Sequence, residues 1–446
     1  PTKEEDPDFS PEDIRYSTVR YVASTTRNAT GPSVSDPRTG EIIESDIIWY
    51  HNHLRSYRNR YLLETGAANP KARTLNTPEK EIGEMMRQVI AHEIGHALGL
   101  PHNMKASSAY PVDSLRSGDF TQKFGIATTI MDYARYNYVA QPGDENIRYV
   151  RQLGPYDNYS IEWGYRYYGQ SPEEEKNILK KFVDSKSLDP VYMFGGYGND
   201  PNSQTENIGD DPVKASTYGI KNLKIVAKNL MDWVIEPNEN YDELNELYGE
   251  LLGVYRRYIY HVHSLIGGIY DTPHNENQKG AIRYVNVDIN KQIEALRFLE
   301  KNLWNTQSWL MDSKLISQIK GEGVLNSIQG LQLSALNRLL NYDKLNRMLS
   351  AKESLEGNAL SVSGLIDDLL QTIIESPNNP DLSEQRLQLY FVERIDILMS
   401  EEKLNPSVKS ILMESKNNIH SFAKRKSRLS KGIVKSHYKY LKTISE

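Results

Sequence analysis

The sequence contains no cysteine. Disulfide bonds, thiolate metal sites and cysteine nucleophiles are therefore excluded, and any bound metal must be held by nitrogen or oxygen ligands. The sequence also lacks a long apolar run, since no segment approaches the roughly 20 apolar residues of a membrane-spanning helix. A strong excess of charge is absent too, because the formal net charge is −6 over 446 residues. Neither a nucleic acid nor an anionic membrane is therefore expected as a partner.

The length and composition indicate a globular protein with more than one domain. At roughly 100–200 residues per domain, the chain is long enough for two or three domains that each bury a core. No signal peptide is visible, and the chain starts at Pro1 without an initiator methionine. We therefore expect it to be a processed piece of a longer protein.

The first part of the chain mixes strand and helix patterns. Alternating polar and apolar residues predict strands over 14–24 and 41–53, with turn chemistry between them at 31–42. A helix is predicted to start with Thr77 as its cap and Pro78 as its first residue, and to end near Gly99. The segment 124–136 predicts a loop with a tight turn, and 153–169 a short helix.

After about residue 170 the sequence becomes helical in character. A loop rich in Gly, Asn and Asp (195–211) leads into amphipathic stripes with spacings of three and four. These stripes are Ile220 to Val234, Leu244 to Val262 and Ile289 to Leu303. Residues 281–287 predict a lone strand. No fixed-period repeat is visible, so a helical bundle is favoured over a solenoid. The predicted fold class is α+β, with domains at 1–170 and 171–446.

The stretch HEIGHALGLPHN, residues 92–103, has the spacing of a metal site. His92 and His96 are four residues apart, so on a helix their side chains lie on one face and can reach one ion. Glu93 points about 100° round the helix, beside the ion and not at it. A general base must stand there to take a proton from a water at the metal.

A third histidine completes the pattern. Gly99 allows a sharp turn of the backbone, which returns His102 beneath the helix. Three histidines leave a position open, as in catalytic zinc sites, whereas structural sites are usually closed by four protein ligands. We predict Zn²⁺ as the cofactor, held by His92, His96 and His102.

The motif H-E-x-x-H-x-x-G-x-x-H resembles the signature of the metzincin clan of zinc endopeptidases. That clan also has a downstream methionine turn, which the segment TTIMDYARY matches. The resemblance implies that Met131 forms an apolar floor under the histidines. It also implies that Tyr133 stands near the metal, to bind it at rest or to hydrogen-bond the oxyanion. Asn103, where the clan varies, is interpreted as structural.

Residues 31–51 are similar to the segment that leads into the clan's substrate-binding edge strand. The whole of 31–170 resembles most a family of large, often secreted bacterial metzincin-like proteins with a helical extension. The resemblance implies a zinc-dependent catalytic domain over 1–170 that hydrolyses protein or peptide substrates, with Glu93 as the general base. It implies a secreted, periplasmic or cell-surface location, and it leaves the role of 171–446 open.

Two other readings of the same site stay open. In the first, the protein is a zinc exopeptidase or another amide hydrolase. In the second, it is a non-catalytic surface binding protein with a vestigial metal site. Glu93 argues against the last reading, because a structural zinc needs no base in that position.

Other candidate sites are weaker. His51 and His53 would share a face if the strand continued, which gives a candidate second metal site. The loop from Asp200 to Asp211 is rich in oxygen ligands but has Thr205 where an EF-hand needs glycine, so Ca²⁺ is a minor candidate. The pair of His261 and His263 is rejected, because residues two apart on a helix do not face each other. The histidines at 420 and 437 are interpreted as structural, and the basic tail 424–442 as a solvated helix face.

Overall fold

The computed structural model describes residues 4–186, 188–237, 240–278, 280–319, 321–354 and 358–446. By packing, the chain divides into two compact units. The first consists of Pro1–Gly198, Asn202–Glu239 and His274–Lys279, and the second of Asn199–Pro201, Asn240–Pro273 and Gly280–Glu446. These units are defined by packing alone, and the domain boundary at residue 170 stays a prediction.

The first unit contains five short strands and six helices among its described residues. The strands are β1 (Val19–Val22), β2 (Ala29–Thr30), β3 (Ser33–Ser35), β4 (Ile42–Ser45) and β5 (Ile47–Tyr50). The helices are α1 (His53–Thr65), α2 (Glu79–Ala97), α3 (Gly118–Phe124), α4 (Pro155–Tyr165), α5 (Pro172–Asp184) and α6 (Pro212–Val234). Small sheets beside longer helices confirm the α+β prediction for this part of the chain.

Strand β5 is the centre of a three-stranded sheet with the order β1-β5-β2. It runs parallel to β1 and antiparallel to β2, and Ala29 is opposite Trp49. Strands β3 and β4 form a separate hairpin. The predicted strand over 41–53 is therefore wrong in detail: it is two strands broken at Asp46, and the chain is already helical at His53. The Asp46 carboxylate accepts hydrogen bonds from the backbone N–H and the hydroxyl of Thr18 at 3.0 and 2.8 Å, which fixes the break.

Helix α2 packs on this sheet with one continuous stripe. Met85, Val89 and His92 are buried and follow one another at spacings of four and three, and His96 continues the line. The first half of the stripe joins an aromatic core that includes Trp49, Tyr61 and Tyr136. The helix thus buries its apolar half against the core and presents histidines with its second half.

The ends of α2 differ slightly from the prediction. Pro78 is the N-cap, with extended backbone and no side-chain cap, so Thr77 lies outside the helix and does not cap it. The carbonyl of Pro78 accepts the first helical hydrogen bonds, from Glu81 and Ile82. The C-terminal prediction is confirmed, because the helix ends at Ala97 and Gly99 has a φ of +83°. A left-handed residue at this point turns the chain towards His102.

The second unit is mainly helical. Its helices are α7 (Asp242–His263), α8 (Ile289–Leu299), α9 (Ser313–Ile316), α10 (Gly321–Leu339), α11 (Tyr342–Ser354), α12 (Val362–Leu369), α13 (Leu382–Ser400), α14 (Pro406–Leu429) and α15 (Gly432–Ile444). Short π-helical segments follow α8 and α12, at 300–304 and 370–375. The strand predicted over 281–287 is not alone, since β7 (Tyr284–Asn286) pairs with β6 (Ile269–Asp271). None of the helices in the described ranges is long and apolar enough to cross a membrane.

Candidate metal centre

The three histidines of the motif converge on one point. The Nε2 atom of His102 lies 3.0 Å from that of His96 and 3.2 Å from that of His92. Among the described residues, these three form the one group of three or more histidine or carboxylate side chains arranged to hold a metal ion. The structure therefore brings together the three residues that the sequence predicts as ligands.

The donor chemistry of this group fits a divalent metal. The Nδ1 atoms of His92 and His96 lie 2.8 and 2.9 Å from the carbonyl oxygens of Ile130 and Leu100, so each Nδ1 carries a proton and donates it. In a neutral ring the Nε2 atom then has no proton and carries a free lone pair. Nitrogens about 2.0–2.1 Å from a tetrahedral ion stand roughly 3.3 Å apart, close to the separations found here. Lone pairs that face each other at this distance repel one another. A cation between them would be attracted by all three.

Burial keeps the ligands in the form that binds metal. It lowers the pKa of His92 well below its ordinary value, and the nearby Arg151 guanidinium lowers it further. Burial also lowers the pKa of His102 to about 4, with His96 and Arg151 contributing. Neutral imidazole is the ligand form of histidine.

Met131 lies directly under the helix that carries two of the histidines. Its side chain is 1% exposed, and its thioether packs against Gly95, the small residue inside the motif. A Cβ at Gly95 would collide with the Met131 sulfur and lie 3.2 Å from its methyl group. Glycine is therefore required at this position by close packing against Met131. The role of Met131 as a floor under the histidines stays a prediction.

The turn that carries Met131 is fixed by two buried carboxylates. Asp157 accepts from the backbone N–H of Ile130 at 2.9 Å and from the Thr129 hydroxyl. Asp132 accepts from the backbone N–H groups of Ala134 and Ser107 at 2.7 and 2.8 Å. These bonds hold the backbone on both sides of Met131.

Arg151 completes this support from behind His92. The side chain is 2% exposed, and its guanidinium donates to the carbonyls of Ile130, at 2.8 Å, and Asp132. The Ile130 carbonyl is the same oxygen that receives the His92 Nδ1 proton. Arg151 thus links the methionine turn to the orientation of a ligand ring. No spacing of residues along the chain predicts this contact.

Glu93 lies beside the histidines and is 8% exposed. Burial raises the pKa of its carboxyl, while the Arg151 charge and the Gly31 backbone N–H oppose that rise. A Cβ at Gly31 would lie 2.7 Å from the Glu93 carbonyl oxygen and 3.1 Å from its Oε2. Gly31 directly follows the edge strand β2, so the end of that strand touches the predicted base.

Tyr133 lies next to the histidines and is half-buried. Its ring centroid is 4.4 Å from that of His102 and 5.4 Å from that of His92. Burial raises the pKa of its phenol, and the neighbouring Tyr197 raises it further. The proton therefore stays on the hydroxyl at neutral pH, where it can be donated. Tyr197, from the glycine-rich loop, was not expected at this place.

The other candidate sites do not form metal centres among the described residues. His51 lies in a turn next to the Tyr21 hydroxyl, and His53 begins α1 with its ring between Trp49 and Tyr57. The expectation that both lie on one strand face is therefore wrong. In the loop considered for Ca²⁺, Asp211 caps α6 by accepting from Val213 and Lys214. The calcium site has no support.

Comparison with known proteins agrees with this geometry. A family model described as Met-zincin matches residues 74–381, from just before α2 to the residue before α13. The match extends into the helical part, beyond the segment 31–170 on which the sequence resemblance rested. A search of curated proteins and a search of solved structures each found no match. Because the family model covers more than half of the chain, this protein belongs to the Met-zincin family.

Proposed function

We propose that this protein is a zinc-dependent endopeptidase with Glu93 as its general base. The observation that carries the proposal is the convergence of three histidine Nε2 atoms beside a buried glutamate on the same helix. Membership of the Met-zincin family supports a metallopeptidase with zinc. His92, His96 and His102 would hold the ion.

A zinc ion bound there would supply Lewis acidity, which polarises a carbonyl and makes a water more acidic. The chain's own part in proton transfer falls to Glu93. Its carboxylate takes a proton from the attacking water and passes it to the leaving amine. Burial raises the pKa of Glu93, which makes it a stronger base than an exposed glutamate.

Tyr133 would supply a hydrogen-bond donor beside the histidines. Its protonated hydroxyl would donate to the carbonyl oxygen as negative charge develops on it, which lowers the barrier. Such a donor is most effective when it is held in place before the reaction. The contacts of the Tyr133 ring with His92 and His102 provide that placement.

The position of strand β2 favours an endopeptidase, whose peptide substrate extends beyond the site on both sides. It lies at the edge of the sheet, with order β1-β5-β2 and no further strand beside it among the described residues. An extended peptide could pair with this edge by main-chain hydrogen bonds. Its path along β2 would lead past Gly31 to Glu93, with chain on both sides of the bond to be cut.

The test compares the wild type with Glu93→Gln and His96→Ala, each purified and reloaded with Zn²⁺. Zinc content is measured by mass spectrometry, and turnover is measured on unfolded casein. We expect Glu93→Gln to bind zinc like the wild type and to lose turnover by at least a hundredfold, since general base catalysis contributes about 10²–10⁴. His96→Ala is expected to lose both. Wild-type turnover in zinc-loaded Glu93→Gln would contradict the proposal.

A further inference from the structure

The hairpin of helices α14 and α15 carries a basic cluster, residues 424–442. This segment contains eight lysines and arginines and no aspartate or glutamate, although the whole chain has a formal net charge of −6. Six of the eight cationic side chains are exposed, namely Lys424, Arg425, Arg428, Lys431, Lys435 and Lys439. No ion pair joins any of these six to a carboxylate of the described residues. The cluster therefore presents uncompensated positive charge to solvent.

Large apolar side chains are exposed within this cluster. Leu429 ends α14 and is 74% exposed, and Ile433, at the start of α15, is 64% exposed. The chain turns between them, with a φ of +57° at Gly432. Tyr440 is 57% exposed and follows Ile433 by seven residues, so it lies on the same side of α15. Exposed apolar side chains grouped in this way mark an interaction surface.

Two packed helices hold this surface in place. Phe422 of α14 and Tyr438 of α15 are buried, with ring centroids 6.0 Å apart. The Nε2 atom of His437 lies 2.7 Å from the Oε1 atom of Gln388 in α13, which anchors α15 to its neighbour. The buried side of the hairpin is therefore occupied by the core of the second unit, and the basic cluster is left on the solvent side.

We propose that the basic cluster binds an anionic lipid surface. Clusters of about four to eight lysines and arginines bind anionic lipids, and each cation near the surface strengthens binding about fivefold. Apolar side chains add affinity when they enter the boundary between headgroups and acyl chains. Leu429 and Ile433 would enter that boundary, and Tyr440 would lie at headgroup level, where tyrosine is enriched. This proposal goes beyond the interpretation of the tail as a solvated helix face.

The apolar side chains favour a lipid surface over other partners of the same charge. A nucleic acid backbone is bound by lysines and arginines, and its affinity needs no apolar contact. Leu429 and Ile433 would stay in water on such a partner, whereas a lipid surface removes them from water. A second copy of the same surface is disfavoured, because it would bring two basic clusters together.

The test is flotation of the full chain with vesicles of phosphatidylcholine, with and without phosphatidylserine. We expect at least about tenfold tighter binding to the mixed vesicles, and high salt should remove most of that difference. Leu429→Ser with Ile433→Ser should weaken binding to the mixed vesicles about tenfold. The matched control is Leu382→Ser with Ile397→Ser, which changes two exposed side chains of α13 outside the cluster and should bind like the wild type.

A second pair of variants tests the contribution of charge. Lys431→Glu with Lys435→Glu should weaken binding to the mixed vesicles at least about tenfold. Lys403→Glu with Lys409→Glu changes the net charge equally near the start of α14, roughly 30 Å along the helix from Leu429, and should bind like the wild type. Because the substituted side chains are at least partly exposed, each variant should unfold in urea like the wild type.

Equal binding to both kinds of vesicle, or wild-type binding in either variant of the basic cluster, would overturn the proposal. Binding to a DNA duplex without binding to vesicles would also overturn it, and would indicate a nucleic acid as the partner. The assay needs neither zinc nor turnover, so its outcome is separate from that of the proposed function.

Discussion

Replacing Gly95 by alanine tests whether Met131 packs against the motif helix as the structure describes. Helix α2 offers a matched pair of glycines, because Gly83 has no atom within 4 Å of an added Cβ and Gly95 meets the Met131 thioether. Gly83→Ala is expected to stabilise the protein by about 0.8–1.0 kcal/mol, the helix-propensity gain over glycine. Gly95→Ala has the same gain, but overpacking of the buried methionine costs about 1–3 kcal/mol.

The two variants should therefore differ by about 1–3 kcal/mol in free energy of unfolding, although each is a Gly→Ala change in one helix. The assay is urea denaturation of the zinc-free proteins, so that metal binding does not contribute to stability. Adding Met131→Ala to Gly95→Ala removes the colliding sulfur, and the two changes together should cost less than the sum of each alone.

Zinc affinity gives an independent reading of the same contact. A displaced Met131 shifts the turn that supports His92, so we expect Gly95→Ala to bind zinc about 10–100-fold more weakly, as when a ligand's supporting contacts are lost. Gly83→Ala should bind zinc like the wild type. If Gly95→Ala stabilises the protein as much as Gly83→Ala and binds zinc normally, the methionine floor is wrongly placed and this reasoning is refuted.

Three further predictions concern other parts of the molecule. Gly31→Ala places a Cβ 3.1 Å from Glu93 Oε2. Because this contact would displace the base, kcat/KM should fall at least about tenfold with zinc content unchanged. Normal kcat/KM would show that Gly31 does not position the base. Arg151→Met removes the donor to the Ile130 and Asp132 carbonyls, and zinc affinity should fall about 10–100-fold, which competition with a chelator measures. Burial lowers the pKa of His437 to about 4, so its neutral form stabilises the fold above pH 6.5 and that stability is lost as the pH falls from 6.5 towards 4. The loss of unfolding free energy between pH 7 and pH 5 should be about 1–2 kcal/mol smaller in His437→Gln, and an unchanged pH dependence would contradict this.

The ligand group was predictable because its information is local. The spacing of four between His92 and His96 needs only a helix, and Gly99 with φ +83° returns the chain to His102. Met131 was found through the resemblance. Its packing against Gly95 explains why a small residue lies inside the motif, which the spacing rule does not require.

Helix α1 shows why part of the fold could not be predicted. It buries Tyr57, Tyr61 and Leu62, but it also buries Asn59 and Glu64. Glu64 is held by Arg60 at 2.5 Å, and Arg60 also pairs with Glu206 at 2.6 Å from a distant loop. Polar residues on the buried face remove the amphipathic pattern that identifies a helix. The Asn52 side chain makes no capping bond either, so the start signal is absent.

The groups around the metal centre were hidden for a different reason. Gly31, Arg151 and Tyr197 reach the site from three distant segments. Gly31 lies against Glu93, Arg151 donates to backbone carbonyls, and Tyr197 packs near the rings of His102 and Tyr133. Contacts of this kind leave no periodic pattern of residues in the sequence. Asn103 was interpreted as structural, and the structure shows which contact it makes: it anchors the loop of Tyr197.

Cleavage of a diverse peptide pool, read by mass spectrometry, tests the central claim most directly. The zinc-loaded wild type is compared with its Glu93→Ala variant, which keeps the three histidines. The account predicts cuts at internal peptide bonds by the wild type alone. Cuts confined to chain ends would indicate an exopeptidase, and a zinc-loaded wild type that makes no cut would contradict the assignment of this site as a peptidase.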